Sequence, residues 1–94
     1  MAPILRWDPE KARSNSRKHG VTSIEAASVF KDVLSATIRD PLHSIEEDRY
    51  ITIGRSDRGR TLVVVHSDLG ETIRVISARL AIRRERREYE QGQP

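Results

Sequence analysis

The chain has 94 residues and no cysteine, with 33% of residues charged and 36% hydrophobic. That length suits one domain, residues 1–94, with one modest core, and the lack of cysteine excludes a disulfide framework, a thiolate metal site and a cysteine nucleophile. The net charge of +3 is unevenly placed: residues 1–48 hold seven Lys/Arg against eight Asp/Glu, and residues 49–94 hold ten against six. A basic second half suits contact with a polyanion such as nucleic acid, though a solubilising face would carry the same charge. No run of 18 apolar residues occurs, and Arg6, Trp7 and Asp8 come too early for a signal-peptide core, so the expected location is the cytoplasm, away from membrane.

Ile4-Leu5-Arg6-Trp7 reads as a short strand that stops at Asp8-Pro9, an N-cap followed by proline at the first helical position. A helix over residues 9–19 follows, with Glu10 in its first turn, Lys18 and His19 in its last, and Gly20 as the left-handed residue that ends it. Thr22 and Glu25 have the spacing of a capping box, predicting a second helix over residues 23–31 that packs Ile24, Ala27 and Phe30 on the sheet. Residues 36–39 look β-like, and a polar loop runs through Asp40-Pro41 to Asp48. Strands over residues 49–53 and 60–66 flank a hairpin with the basic tip Arg55-Ser56-Asp57-Arg58-Gly59. Leu62 to Val65 are apolar in succession, as expected of a central strand covered on both faces.

A last strand over residues 72–78 would put Arg74, Ile76 and Ala78 on one face and Ile73, Val75 and Ser77 on the other. Residues 79–91, rich in Arg and Glu and free of Gly and Pro, predict a helix with Ile82, Arg86 and Tyr89 on one side. The fold class is therefore α+β: a short N-terminal strand, two helices, an antiparallel sheet of about four strands and a C-terminal helix.

Standard catalytic motifs are missing. His19, His43 and His66 lack metal-ligand spacing, no glycine-rich phosphate loop precedes a helix, and no metal or cofactor is expected. What stands out is an arginine-rich set with proton-transfer candidates: Lys18, His19, Glu47, Arg49, Arg74, Arg79, Glu85 and Tyr89. RNA supplies its own 2′-OH nucleophile, so a base, an acid and guanidinium groups suffice to cut it. Arg74 and Arg79 are the candidates for the scissile phosphate, since the guanidinium fork matches phosphate oxygens and stays charged. Lys18, Glu47 and Tyr89 are the candidates for proton transfer, while His19, Arg49, Arg55, Arg58 and Arg60 are candidates for holding RNA. The structural alternatives are a cross-strand ion pair for Arg74, a dipole-stabilised helix end for His19, an anchoring role for Tyr89 and a solvated, salt-bridged face for Arg83, Arg84, Arg86 and Arg87. In function the alternatives are a basic RNA- or ribosome-binding module that blocks translation by occupancy and, more weakly, a DNA-binding regulator.

Trp7-Asp8-Pro9-Glu10-Lys11, Asn15, Lys18-His19-Gly20-Val21, Glu25-Ala26-Ala27, Val29-Phe30, Asp32, Glu47 with Arg49, Gly54, Leu62 to Val65, Arg74, Ile76-Ser77-Ala78-Arg79, Glu85 and Tyr89-Glu90 form a dense pattern. Over nearly its whole length the chain resembles the BrnT family of type II toxins. Two positions depart from the pattern: Val33 stands where many members have proline, and Ser23 where an aromatic is frequent. The resemblance implies a RelE-like fold and an RNA-cleaving inhibitor of translation, with an arginine and tyrosine site near the last strand and helix. It also implies a BrnA-like antitoxin with a ribbon-helix-helix domain, which neutralises the toxin and makes the operator DNA contacts; a 2:2 heterotetramer is one assembly that would fit.

Overall fold

A computed structural model describes residues 4–43 and 48–92. Five strands, β1 (Ile4–Arg6), β2 (Ala36–Arg39), β3 (Arg49–Arg55), β4 (Thr61–Leu69) and β5 (Thr72–Leu80), form one sheet in the order β1-β5-β4-β3-β2. Strands β2 to β5 are the antiparallel meander expected from their short connections. The N-terminal strand is not separate from it: β1 joins the same sheet as a fifth strand, parallel to β5, with Ile4, Leu5 and Arg6 opposite Thr72, Ile73 and Arg74. The sheet is therefore mixed.

Helix α1 (Pro9–His19) has the predicted ends. The Asp8 carboxylate accepts from the Glu10 N–H at 2.9 Å, and Gly20 takes a left-handed φ of 68° while its N–H bonds Ser16 O. The second helix is shorter than expected, with α2 (Ser23–Ser28) passing into a 3-10 turn (Val29–Lys31). Thr22 Oγ1 caps the Glu25 N–H at 3.2 Å, but the Glu25 carboxylate does not complete a capping box. It turns inward, accepting from Ser56 Oγ at 2.7 Å, from Arg60 Nε at 2.9 Å and from a second Arg60 nitrogen. This inward turn also moves the apolar stripe. Ala26 and Val29 are fully buried, whereas Ile24, expected to face the sheet, is 79% exposed.

Val21, Ala26, Val29, Leu62, Val64, Val75 and Ala78 form the core between this helical layer and one face of the sheet, with Leu5, Trp7 and Phe30 packed at its rim. Gly54 lies under the 3-10 turn, where a Cβ would come within 2.8 Å of Val29 Cγ1, so only glycine allows the approach. On the far side of the sheet, α3 (Arg83–Glu90) begins four residues later than predicted. Arg79 and Leu80 continue β5 opposite Val63 and Leu62, a ladder that overrides the helix propensity of this stretch.

Past Arg74 the outer edge of β5 has no strand beside it among the described residues, and α1 covers it through one side chain. Buried Asn15 donates to Ala78 O at 2.9 Å and accepts from the Ala78 N–H at 3.1 Å, reproducing the pattern of a neighbouring strand. Asn15→Ala should lower unfolding stability by about 2–4 kcal/mol, because two buried backbone groups lose their partners. Asn15→Asp keeps the acceptor but sets a buried carboxylate against the Ala78 and Val21 carbonyl oxygens, so at neutral pH it should cost at least as much; urea denaturation of both variants checks the order.

The Glu25 carboxyl is held below its ordinary value, first by the Arg60 hydrogen bond and against the opposing effect of burial. A depressed carboxyl stabilises the fold fully above its unfolded value and loses that contribution as pH falls toward the folded one. Glu25→Gln should therefore lower stability at neutral pH and flatten the acid limb of a stability-versus-pH profile.

Candidate nucleic-acid site on the open sheet face

The two faces of the sheet divide their surroundings. One carries the core. The other is only partly covered by α3, and the register fixes which side chains it presents. Alternation along β5 is broken between Val65 and His66 of β4: Val65 faces Ser77 but His66 faces Val75, leaving Ile76 as an extra residue. Val75 and Ala78 consequently point into the same core, which corrects the face assignment read from strict alternation. The same bulge brings Arg74 and Arg79, five positions apart, to the same open face.

Arg74 lies opposite Ser67 on β4, which lies opposite Arg49 on β3. Arg74 Nε donates to the buried Ser67 hydroxyl at 3.3 Å, so this row of side chains crosses three strands. Arg6 of β1, opposite Arg74, extends it to a fourth. Nothing in the sequence alone pointed to Arg6 or Ser67, because their place follows from the pairing of distant strands.

Arg79 sits about 13 Å further along β5 at the usual rise per residue, too far for it and Arg74 to clasp one phosphate side by side. It is instead paired bidentately with Glu85, at 2.8 and 2.9 Å, and Glu85 also accepts from the Ile82 N–H at the start of α3. The Arg79 hydrogen bond holds the Glu85 carboxyl below its ordinary value, and Glu85 in turn raises that of the Arg79 guanidinium. The inward side of α3 is thus Glu85 and Tyr89, one turn apart, instead of Ile82, Arg86 and Tyr89; Arg83, Arg84, Arg86 and Arg87 are exposed.

Tyr89 returns α3 to the rest of the molecule by donating its hydroxyl proton to Asp32 Oδ2, at the end of the 3-10 turn. The same Asp32 oxygen accepts from the Arg55 N–H at 2.7 Å, and the Arg55 guanidinium lies 5.9 Å from the Tyr89 ring centroid. Burial first, and then the bond to Asp32, raise the Tyr89 phenol above its ordinary value, so it keeps its proton at neutral pH. Burial would raise the Asp32 carboxyl, but the Arg55, Tyr89 and Leu34 donors outweigh it and hold it low. Beside Tyr89, an apolar cleft of about 550 Å³ opens between β2 and α3, floored by Ile38, Ile51 and Ile53.

Other candidates lie elsewhere. Arg60 is committed to Glu25 and to Gly20 O, and Arg58 approaches the same carboxylate at 3.7 Å, so the basic hairpin tip is anchored to α2. Lys18 and His19 are exposed at the end of α1, and their side chains make no hydrogen bond or ion pair among the described residues. Glu47 lies outside the described residues. Among those described, no group of three or more His, Asp or Glu is close enough to hold a metal ion, and no helix is long and apolar enough to cross a membrane.

The profile of the family described as the ribonuclease toxin, BrnT, of type II toxin-antitoxin systems matches residues 7–85. The chain belongs to the BrnT family. Its structure is similar to the 1.1 Å crystal structure of the Brucella abortus ribonuclease toxin BrnT, with a TM-score of 0.64 and 27% identity over 88% of this chain and 100% of that one. A search of curated proteins finds no match. A BrnT-family chain is a ribonuclease toxin with an antitoxin partner, which gives the arginine-bearing open face a substrate class to be read against.

In a Tyr50→Phe background Tyr89 is the only tyrosine, and an ultraviolet absorbance titration should show it ionising above the ordinary value of about 10. Adding Asp32→Ala should bring the transition down; titration at or below the ordinary value in the first variant would contradict the assignment.

Proposed function

We propose that this chain is a metal-independent RNA endonuclease that slows translation by cutting RNA through attack of the substrate's own 2′-OH, until a cognate antitoxin binds it. The carrying observation is that α3 sets the protonated Tyr89 over the same sheet face that presents Arg74 and Arg79. In this reading Tyr89 protonates the departing 5′ oxygen as the P–O bond breaks. Arg79 turns from Glu85 toward the phosphate and stabilises the charge that develops there. Arg74 and Arg49 hold the strand beside the reaction, and Arg55 supports Tyr89 through its ring. Glu47 is the candidate for the base that takes the 2′ proton; Lys18, the other proton-transfer candidate, and His19 lie on α1 in the other layer. Arg58 and Arg60 hold the hairpin and add to the basic surface.

The fold is read as RelE-like, and the toxin as cytoplasmic. The antitoxin is read as a BrnA-like ribbon-helix-helix protein that carries the operator contacts of the complex, a 2:2 heterotetramer being the assembly to test first.

Purified chain should cut RNA in the presence of EDTA and leave 2′,3′-cyclic phosphate ends. Arg79→Ala and Tyr89→Phe should each slow cleavage by about 10²-fold or more, the usual loss when one electrostatic or proton-transfer group is removed. Translation blocked while RNA stays intact would replace this reading with inhibition by occupancy.

A further inference from the structure

Arg6 lies just outside the segment that carries the family match, yet it stands directly opposite Arg74 in the parallel β1–β5 pair. Directly opposed side chains share a face, so two guanidinium groups project together at the edge of the sheet. The Arg6 side chain is exposed and makes no hydrogen bond or ion pair among the described residues. Like charges in this position cost stability, and nothing in the packing of β1 requires arginine there, since Leu5 is the residue of that strand that reaches the core. An anion bound across the two groups would meet both guanidinium forks at once. Arg6 and Arg74 also line a shallow depression of about 440 Å³ with Leu5, Trp7 and Asp8. The Asp8 carboxylate is engaged as the α1 cap through its Oδ1.

We propose that Arg6, Arg74 and Arg49 form a phosphate track along which single-stranded RNA crosses the sheet at right angles to its strands. The inference rests on the nuclease reading for its substrate class. Strands spaced about 4.8 Å apart put Arg49 and Arg6, three strands removed, about 14 Å from each other, a span that accommodates more than one phosphate of a single backbone. Arg74 and the buried Ser67 hydroxyl lie between them. The row is sequence-blind by construction: it offers guanidinium forks and one hydroxyl to phosphate oxygens, and base selection must come from elsewhere on the open face. An acidic protein segment is the other polyanion such a row could accept. RNA is favoured because the row occupies the same open face as Arg79 and is continuous with it along β5.

The test measures binding of the full-length chain to a 2′-O-methyl oligonucleotide, which cannot be cut, as a function of salt, for the parent, Arg6→Ala and Arg17→Ala. Arg17 is exposed on α1, in the other layer. Loss of one phosphate contact should reduce the slope of log affinity against log salt by about 0.7 in Arg6→Ala and leave it unchanged in Arg17→Ala. Thermal melting accompanies each variant, and Arg6→Ala should melt at or above the parent because an opposed like charge is gone. An unchanged slope, an equal loss in Arg17→Ala, a lower melting temperature for Arg6→Ala, or binding to poly-glutamate but not to the oligonucleotide would each overturn the track. Cleavage of unmodified RNA by the parent is assayed in parallel. Cleavage with an unchanged Arg6→Ala slope defeats the track alone, and a reduced slope without cleavage defeats the nuclease reading alone.

Discussion

Glu25 is a carboxylate 2% exposed in a chain of 94 residues, and the groups around it are donors: the Ser56 hydroxyl, the Arg60 fork and, at longer range, Arg58. A buried charge so enclosed cannot be left half-partnered without a penalty of several kcal/mol, so it fixes the rotation of α2 and the seat of the β3–β4 hairpin together. Two further placements follow. Ala26 and Val29 turn to the core, with Val29 closing over Gly54. The 3-10 turn then delivers Asp32 to the point where it receives both the Arg55 N–H and the Tyr89 hydroxyl. The last helix of the chain is thus positioned, through three contacts, by a carboxylate in the second.

A similar economy runs through the sheet. With few apolar residues available, one face is given to the core and the other is shared between the apolar residues under α3, Ile51, Ile53 and Val63, and the polar row of Arg49, Ser67 and Arg74. Central β4 serves both, with Leu62 and Val64 on the packed side and Ser67 carrying Arg74 on the open side. His66 shows how polar groups enter the packed side without expense. Its ring lies edge-on to Phe30, stacks with Tyr50, and bonds Thr52 and Asp68 at 2.7 Å each, so both nitrogens are satisfied.

Much of this was legible in the sequence where the signal is local. Asp8-Pro9 and Gly20 mark the ends of α1 because capping is decided by residues a few positions apart. The central position of β4 follows from its apolar run. The open-face arginines Arg49, Arg74 and Arg79 and the Tyr89 phenol were legible as chemistry, though not as geometry. What escaped depends on partners far along the chain: Glu25 looks like half of a capping box until Arg60 is brought to it from 35 positions away, and Asn15 looks like any helical polar residue until Ala78 arrives from 63 away. Arg79 and Leu80 have helical propensity, but the ladder with β4 decides their conformation. The family resemblance supplied the ribonuclease; it could not supply the parallel strand that sets Arg6 beside Arg74.

The extra residue in β5 carries a consequence for how such a site is encoded. In a strand, whether two positions meet the same surroundings is a question of odd or even separation, and Arg74 and Arg79 are an odd distance apart. Ile76 repairs that parity. Were Ile76 instead taken into regular alternation, every arginine, the tyrosine and the serine would remain in the chain, yet from that point back toward Thr72 each side chain would exchange sides, sending Arg74 under the helices and Val75 into water. The chemistry of the open face is therefore written partly in residue identities and partly in a backbone irregularity, and a comparison of sequences that counts only matching letters would pass over the second.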